Sequence, residues 1–406
     1  MSASPRPEPS ASRNTYSFGI TSFFNDTATE MAYWVLPAFL VSLGAGPAQL
    51  GVIEGIAESV ASFAKLFSGY LTDRIESRKP LVVTGYFVAN AVKPLLAFVT
   101  SWLHVLLIRF ADRLAKGVRG APRDVMVAES VGKERLGSAY GFIQSLDSAG
   151  AIAGPLTALV LLARFRVRTV FLAAAVPGAL SVLVAVFGIR ETQRPIATEP
   201  ASPLTTESIH PTVASTNRLP TYFYLVLTAV TLFSLGNSSD MFLVLRAQNV
   251  GIRLALAPLL GLVFNITYTL ASWPAGWFSD HFSRPRIAAT GYLIFAAVYF
   301  IFGRAPSTLA IWITMAVYGT YYALTQPVLK ALIVETVSED IRGRALGIYF
   351  FLTSVATLAA SLITGELWKR YGAKIPFYVS AALALLSALI LLISNSRPAR
   401  GLRPGS

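Results

Sequence analysis

A stripe of charged residues inside an otherwise apolar segment is the part of this sequence best suited to chemistry. The stripe continues from the apolar run at residues 102–108, and its members recur at helical spacings: Arg109, Asp112, Arg113, Lys116, Arg119, Gly120 and Arg123. Charged side chains persist in a membrane only where they face a water-filled cavity or pair with neighbouring helices. The stripe therefore predicts that other helices surround it with polar partners.

Acidic residues early in the chain are candidates for those partners. Asp26 and Glu30 lie four residues apart, as do Glu54 and Glu58, so each pair occupies one helix face. Burial and a nearby arginine have opposite effects on the proton affinity of a carboxylate, which suits a group that binds and releases a proton. The alternative is a static network of ion pairs. The residues predicted to carry proton coupling are Asp26, Glu30, Glu54, Glu58, Arg109, Asp112, Arg113 and Lys116.

Composition indicates what kind of molecule holds these residues. Of 406 residues, 54% are hydrophobic and only 14% are charged, a balance typical of a membrane protein. The net charge of +13 fits basic cytoplasmic loops better than nucleic-acid binding. The chain has no cysteine, three scattered histidines, and neither a phosphate-binding loop nor a hydrolase elbow. We therefore expect no metal, no cofactor and no enzymatic activity.

Apolar segments of helix length follow one another with short breaks. Twelve are predicted, near residues 17–43, 48–72, 80–100, 102–129, 136–163, 168–189, 220–247, 253–279, 286–304, 306–334, 341–368 and 374–395. The distribution of basic loop residues predicts that both termini are cytoplasmic. The predicted organisation is a disordered cytoplasmic tail at 1–16, six-helix bundles at 17–190 and 221–395, a Pro/Ser/Thr-rich cytoplasmic linker at 191–220, and a cytoplasmic tail at 396–406.

The two halves of the chain repeat each other. GYLTDRIESRK at residues 69–79 returns as GWFSDHFSRPR at 276–286, and SAYG at 138–141 returns as RALG at 344–347. AESV, ending at Val131, returns as VETV, ending at Val337. The offset is 206 or 207 residues in each case. Two halves built alike predict a pseudo-two-fold axis with a site between them.

At these residues the sequence resembles the major facilitator superfamily, over nearly the whole chain. The superfamily pattern G-x-x-x-D-R-x-G-R-[RK] is resembled by Gly69, Asp73, Arg74, Arg78 and Lys79, with Ser77 in place of a glycine and one extra residue before it. The second copy is one residue shorter, has His281 in place of an arginine, and keeps Gly276, Asp280 and Arg284. The resemblance implies an all-α membrane protein with twelve transmembrane helices in two pseudo-symmetric six-helix bundles.

These loop residues are predicted to gate the cytoplasmic end of the site. The glycine admits close helix approach, the aspartate can cap a facing helix N-terminus, and the arginines can pair with acids across the bundle. The altered second copy is expected to contribute less, and a loop simply held in the cytoplasm by its charge is the alternative. The predicted gating residues are Gly69, Asp73, Arg74, Arg78, Glu129, Gly276, Asp280, Arg284 and Glu335.

Two further stretches resemble motifs of the same superfamily. Residues 113–121 resemble its pattern R-x-x-Q-G-x-G-A, which implies a role for Arg113 in proton transfer. We expect Arg113 to bridge acids on segments one and two, whereas Arg123, nearer the cytoplasm and closer to water, should tolerate lysine. The antiporter motif of exporters is resembled at Gly141, Gly150, Gly154 and Pro155, although Ala158 and Leu159 replace its last two glycines. A Gly-rich membrane helix without that role is the alternative.

The second half contains amides and aromatic rings but few charges in its apolar segments. Such a wall suits an amphipathic organic molecule, although some of the rings will face lipid or other helices. The predicted substrate-binding residues are Asn25, Asn237, Asp240, Asn265, Tyr268, Tyr318, Tyr322 and Gln326.

These features predict a monomeric secondary transporter of the bacterial inner (cytoplasmic) membrane. Its partners would be the lipid bilayer, protons and a small organic solute, exported in exchange for protons by alternating access. A facilitator or proton symporter that imports an anionic solute is the alternative, because the basic stripe could bind a carboxylate or phosphate. Unpaired arginines facing the cavity would favour that alternative. A transport-inactive receptor or assembly factor on the same fold is a third possibility.

Overall fold

The structure, a computed structural model, describes residues 10–33, 35–45, 47–192, 219–252, 257–304 and 307–395. In the first half the helices are α1 (Ser10–Tyr33), α2 (Leu36–Ser42), α3 (Pro47–Arg74), α4 (Lys79–Val92), α5 (Trp102–Glu129), α6 (Leu136–Leu162), α7 (Val167–Ala173) and α8 (Ala175–Gly188). In the second half they are α9 (Thr221–Gly236), α10 (Met241–Asn249), α11 (Ala257–His281), α12 (Arg284–Arg304), α13 (Thr308–Glu335), α14 (Arg342–Tyr371) and α15 (Ile375–Asn395).

These helices form twelve membrane spans. Eight spans are single helices, and four are broken: α1 with α2, α4 with the 3-10 helix Lys93–Phe98, α7 with α8, and α9 with α10. The break after α4 coincides with Pro94, which cannot donate a backbone hydrogen bond. The predicted all-α fold with two six-helix bundles is confirmed.

Some helices are far more apolar than others. Within the described residues, six stretches are long and apolar enough to cross a membrane by composition alone: Lys79–Phe98, Lys133–Leu162, Val167–Gly188, Arg284–Arg304, Glu339–Tyr371 and Ile375–Ser394. Helix α5 is not among them because it carries many charges, and several of these are buried in the protein, including Arg109, Asp112 and Asp124. Charges turned away from lipid are compatible with a membrane span.

The helix packing reflects the internal repeat. Within the first half, α1 packs on α6 and α8, and α5 packs on α3 and α4. Within the second half, α13 packs on α11 and α12, and α15 packs on α9 and α12. The two bundles meet where α6 packs on α11 and α3 packs on α14. The internal repeat relates each of these interfaces to the other, so the pseudo-two-fold axis lies between them.

The first helix begins at Ser10, earlier than the boundary predicted at residue 17. The buried Asn14 explains this difference, because its amide donates to Ser130 Oγ at 2.8 Å and to the Arg190 carbonyl at 3.0 Å. The Arg190 backbone N–H returns a hydrogen bond to Asn14 Oδ1 at 2.8 Å. Residues 10–16 are therefore part of α1 rather than of a disordered tail. The rest of that tail, the linker at 193–218 and the tail at 396–406 lie outside the described residues.

Candidate transport cavity and its closed end

A cavity of about 840 Å³ lies between the two bundles. The first half contributes most of its charged lining, from α1, α3, α5 and α6. The second half contributes mainly aromatic and small polar residues, from α9, α12, α13 and α14. Such a volume, with a few polar groups on a largely apolar wall, is typical of a binding site for a small organic molecule.

The bundles close on each other at the end of the molecule where α3, α5, α11 and α13 terminate, which we call the closed end. There the Asp73 carboxylate accepts hydrogen bonds from the backbone N–H groups of Gly343 and Arg344, both at 2.7 Å. These groups begin α14, which has no side-chain cap of its own. A carboxylate at a helix N-terminus satisfies free amides and interacts favourably with the helix dipole. Asp73 thus joins the first bundle to the second.

The second copy of the loop makes the same connection in the opposite direction. Asp280, on α11, accepts from the backbone N–H groups of Gly137 and Ser138, again at 2.7 Å each. The second copy, expected to contribute less to gating, therefore makes the same backbone contacts as the first. His281, which replaces the usual arginine, leaves the connection intact, because its exposed ring contacts the carbonyl and the ring of Trp277 on its own helix.

The arginines of both loops meet the acids that end α5 and α13. Arg78 donates two hydrogen bonds to the Glu129 carboxylate, at 2.6 and 2.7 Å, and is buried. Arg284 donates to Glu335 at 2.6 Å and to Asp280 at 3.0 Å. Charge-assisted pairs of this kind are the stronger hydrogen bonds in proteins. Arg74 instead lies exposed at the end of α3.

Glycines let the backbones of the two bundles touch. A Cβ added at Gly69 would lie 2.7 Å from the Cα of Gly347, and one at Gly276 would lie 3.1 Å from the Cα of Gly141. Only a residue without a side chain permits helices to approach so closely. The contact positions are again equivalent in the two halves.

The charged stripe of α5 divides between two environments. Lys116, Arg119, Gly120 and Arg123 line the large cavity. Arg109 and Asp112 instead line a separate small pocket, together with Lys93 and Tyr33. A single helical stripe of this length passes from one site into the other because α5 runs the full depth of the bundle.

Arg109 and Asp112 also have partners within the first bundle. Arg109 pairs with Asp112 on its own helix at 3.6 Å, and its guanidinium lies 5.3 Å from the ring centre of Tyr33. Asp112 also pairs with Lys93 at 3.5 Å. Lys93 is not among the predicted site residues, although it lies inside the predicted segment at residues 80–100. Its burial beside Asp112 could not be inferred without the fold.

A chain of hydrogen bonds connects the small pocket to the cavity. Lys93 Nζ donates to Asn90 Oδ1 at 3.1 Å, and Asn90 donates to Asn25 Oδ1 at 3.1 Å. Asn25 in turn donates to Asp26 Oδ1 at 3.0 Å, and both Asn25 and Asp26 line the cavity. The predicted cavity residue Asp26 is therefore linked electrostatically to Asp112 through three buried side chains.

A second acid, Asp147 of α6, meets Asp26 in the cavity. The two carboxyl groups interact directly, and Lys116 and Glu30 are the other charged groups that act on Asp26. Gln144 donates its amide to Asp147 Oδ2 at 3.1 Å, so each carboxyl group is oriented by an amide. Two carboxylates this close repel each other when both are charged.

The glycines of α6 explain why these acids come together. A Cβ added at Gly150 would lie 3.2 Å from Asp26 Cβ, and one at Gly154 would lie 2.8 Å from Glu30 Cβ. Gly141 faces the other way, towards Ser272 and Gly276 of α11. Pro155 follows on the same helix and is half-buried. The glycines of the motif thus hold α6 against α1 on one side and against the second bundle on the other.

Asp124 is a buried charged residue of the cavity that is not among the predicted site residues. Arg123 Nε donates to Asp124 Oδ1 at 2.9 Å, and Lys330 Nζ of the second bundle lies 3.6 Å from Asp124 Oδ2. The acid adjoins a basic residue in sequence, so it resembled an ordinary local pair. Arg123 itself, expected close to water, lines the cavity with only 18% of its side chain exposed.

The remaining proton-coupling candidates are placed less fully. Glu30 and Arg113 are half-buried on α1 and α5. Glu54 and Glu58 lie on α3, but their side chains are outside the described part of the structure, so the acids expected to meet Arg113 on that helix stay a prediction.

The predicted substrate-binding residues separate into two groups. Asn25, Asn237 and Gln326 line the cavity. Tyr268, Tyr318 and Tyr322 pack around Phe264 in a ring cluster and are not part of the described cavity lining, because rings in contact with each other leave little face for a ligand. Asp240 accepts from Tyr318 at 2.9 Å, and Asn265 donates to the Gly261 carbonyl at 3.0 Å.

Metal ligands are not grouped among the residues that the structure describes. No cluster of three or more His, Asp or Glu side chains there has the geometry to hold a metal ion.

Two repeated helix bundles around a cavity that is closed at one end define a membrane transporter of the two-bundle type. The chain belongs to the Major Facilitator Superfamily, whose profile matches residues 18–246 and 226–406. Proteins of this superfamily are membrane-spanning transporters of small molecules and not enzymes.

Relatives and a solved structure agree with this assignment. The chain is 34% identical over 389 residues to the uncharacterized MFS-type transporter MJ1317 of Methanocaldococcus jannaschii, covering 94% of each chain. It is 24% identical to the multi-drug resistance efflux pump PmrA of Streptococcus pneumoniae, covering 91% of this chain and 93% of that protein. The human organic anion transporter MFSD10 (TETRAN) has the same fold, with a TM-score of 0.77 at 14% identity, covering 95% of this chain and all of that one.

Proposed function

We propose that this protein is a proton-coupled secondary transporter that moves a small organic solute through the central cavity by alternating access. The contact between Asp26 and Asp147, inside a cavity that is closed at one end, carries the proposal. A static network of ion pairs would place opposite charges together, whereas here two acids meet. Two acids in contact need a proton or a cation between them.

The closed end is the part that would open. Its contacts are symmetrical. Asp73 accepts hydrogen bonds from the N-terminus of α14, Asp280 accepts them from the N-terminus of α6, and glycines meet beside each acid. Rocking one bundle against the other would break these contacts as a unit and give the cavity access to the other side. The predicted gating roles of these residues rest on this arrangement.

Proton chemistry at the pair follows from its neighbours. When the pair carries a proton, one negative charge is removed beside Lys116; when the proton leaves, Lys116 is attracted to the carboxylates. Glu30 opposes that attraction from the next turn of α1. Because α1 and α6 are held together by Gly150 and Gly154, a change of charge here acts on both helices.

The direction of coupling depends on the charge of the solute. A cationic solute would compete with the proton for the acid pair, which gives exchange and, with an inward proton gradient, efflux. The antiporter-like glycines of α6 and the name of the relative PmrA, an efflux pump, favour that direction. An anionic solute would bind best to the protonated pair, which gives cotransport, and the basic residues of the cavity favour this second candidate.

We further propose that the protein works as a monomer in a bacterial cytoplasmic membrane with both termini inside. The closed end would then be the cytoplasmic end, because the loops after α3 and α11 carry Arg78 and Arg284.

The test begins with a thermal-shift screen of aromatic carboxylates, sulfonates and ammonium compounds on the purified protein. The solute that stabilises it most is then added to proteoliposomes that contain a trapped pH-sensitive dye. We expect solute-driven proton movement in the natural protein and a loss of at least about tenfold in Asp26→Asn and in Asp147→Asn. The matched control is Glu366→Gln, which removes an exposed acid that pairs only with Arg370 on the surface of α14. Proton movement that persists in both aspartate variants would make the pair structural, and absence of any solute flux would favour a receptor.

A further inference from the structure

We infer that the solute is an organic anion with an aromatic body, bound between basic residues of both bundles and the phenylalanine rings beside them. This inference rests on the proposed function, since it names the class of substrate for the same cavity.

Basic residues of both bundles converge on one acid at the end of the cavity nearest the closed end, which we call its floor. Arg123 of α5 and Lys330 of α13 both pair with Asp124, so two positive charges face one negative charge. The Lys330–Asp124 distance of 3.6 Å is longer than the about 2.7–2.9 Å of a charge-assisted hydrogen bond. An anionic oxygen entering this floor would therefore meet surplus positive charge from both halves of the protein.

Further positive charge lies above the floor on the same face of α5. Lys116 stands seven residues before Arg123 and is exposed in the cavity. Gly120 lies between them, and a Cβ added there would be 4.0 Å from the Cγ of Lys65 on α3. Among the described lining residues, bases outnumber acids: Lys65, Lys116, Arg119, Arg123 and Lys330 against Asp26, Asp124 and Asp147.

One of these bases is turned away from the solute. Arg119 donates to the Gly85 carbonyl at 3.3 Å and stacks on the ring of Tyr86, with its guanidinium 4.2 Å from the ring centre. Without Arg119, four bases still face three acids, and two of those acids, Asp26 and Asp147, share a proton in the proposed mechanism. The charge of the described lining therefore favours an anion, and fields are focused in a cleft with low-dielectric walls.

Aromatic rings lie next to this basic surface. The Lys65 ammonium is 5.6 Å from the ring centre of Phe350, and Phe351 meets Phe63 across the bundle interface with ring centres 5.6 Å apart. All three rings line the cavity, and 56% of Phe63 is exposed. The more deeply buried rings, such as Tyr292 and Phe233, stack on each other at 3.9 Å and offer less surface. A solute that places its ring on Phe350 and Phe351 can direct a charged group at α5.

An anion also fixes the sign of coupling. Protonation of the Asp26–Asp147 pair removes a charge that repels the solute and releases Lys116 to bind it. Proton and solute therefore assist each other's binding, which predicts cotransport rather than exchange.

The experiment compares three probes of nearly equal shape: naphthalene-2-sulfonate, the neutral naphthalene-2-sulfonamide, and naphthalen-2-ylmethylammonium. Binding to the full-length protein in lipid nanodiscs is measured by calorimetry at constant pH, with sulfate as a fourth ligand that has charge but no ring. We expect the sulfonate to bind at least about tenfold more tightly than each of the others. Preference for the ammonium compound, equal binding of the three, or no binding of any of them would overturn the inference. Equal binding of sulfate and the sulfonate would overturn its aromatic part.

A variant pair locates the site. Lys116→Gln should weaken sulfonate binding by about tenfold and leave sulfonamide binding within about twofold, since only the charged contact is lost. Lys369→Gln, which removes an exposed lysine near the end of α14, is the matched control and should change neither. Equal sulfonate affinity in the two variants would show that the anion does not use Lys116. Melting temperatures check that both variants are folded.

This test is separate from that of the proposed function. The binding preference needs no proton gradient, so it would survive if the acid pair proved structural. Conversely, proton-coupled flux of a cation would support the proposed transporter and overturn the anionic class.

Discussion

Asp124 and Lys330 occupy equivalent positions in the two halves, 206 residues apart, and face each other with Lys330 Nζ 3.6 Å from Asp124 Oδ2. Residues related by a pseudo-two-fold axis can touch only close to that axis. The pair therefore lies on the symmetry axis of the transporter, five residues before α5 and α13 end at Glu129 and Glu335. A rocking motion that opens the closed end would separate the two charges.

The first prediction is that this pair holds the closed end shut. Asp124→Asn leaves Arg123 and Lys330 together without their acid, so we expect it to open the closed end and lower the melting temperature. Loss of one member of a buried pair costs about 3–5 kcal/mol. Lys330→Gln should have a smaller effect, because Arg123 still pairs with Asp124. The double variant Asp124→Lys, Lys330→Asp should recover part of the loss.

The absence of cysteine makes the measurement direct. Spin labels on Lys133→Cys and Ser338→Cys, one exposed position from each bundle at the closed end, report the separation of the bundles. Longer distances in Asp124→Asn and their partial return in the charge-exchanged variant are expected. Identical distance distributions in all variants would mean that the pair does not contribute to closure.

The second prediction concerns the two capping aspartates. Asp73→Asn and Asp280→Asn should weaken closure to a similar extent, because each acid accepts two backbone hydrogen bonds at 2.7 Å from a helix of the opposite bundle. A loss of about 1–3 kcal/mol for each corresponds to about a 5- to 150-fold change in the closed population. Alkylation of a cysteine placed in the cavity by a charged maleimide, applied from the closed end, measures that population. A much weaker effect of Asp280→Asn would support the expectation from the sequence that the second loop contributes less to gating.

The third prediction separates contact glycines from incidental ones. Gly69→Ala places a methyl group 2.7 Å from the Gly347 Cα, and backbone atoms cannot move aside as a side chain can. We expect reduced transport and a more open closed end. The matched control is Gly365→Ala on α14, where the nearest atom is the tip of the Phe242 ring at 3.8 Å. That variant should be neutral or more stable by about 0.5–1 kcal/mol, since alanine favours helix. Equal melting temperatures and transport rates in the two variants would contradict the role of Gly69.

Much of the fold was predictable because it depends on local patterns. Apolar runs indicate where the spans lie. The composition changes from polar to apolar where α9 begins at Thr221, and from apolar to polar where α15 ends at Asn395. The repeated loop also indicated which positions would be equivalent, so the meeting of Arg78 with Glu129 and of Arg284 with Glu335 could be anticipated. Each of these inferences needs only sequence spacing and a repeat.

The cavity could be predicted only in part, because its pairs join helices that are distant in sequence. Lys330 was visible as a membrane charge, but its partner lies in the other half and is hidden beside Arg123. Asp147 belongs with Asp26 only once Gly150 brings α6 onto α1. Tyr318 and its neighbouring rings were expected at the solute, yet aromatic side chains in a membrane protein pack on each other as readily as on a ligand.

The last prediction reverses an expectation drawn from the sequence. Arg123 was expected to tolerate lysine because it lies near the end of α5, but the structure places its Nε 2.9 Å from Asp124 Oδ1 at the cavity floor. Lysine carries its only nitrogen one atom further along the chain and has no donor at the Nε position. We expect Arg123→Lys to reduce transport by about tenfold and to lower the melting temperature, a loss of about 1.5 kcal/mol for a hydrogen bond between charged groups. Arg370→Lys is the control, since Arg370 pairs with Glu366 on the exposed surface of α14 and such pairs contribute little. Equal transport and melting temperature in the two variants would show that Arg123 acts only as a solvated positive charge, and the anion site would then depend on Lys116 and Lys330 alone.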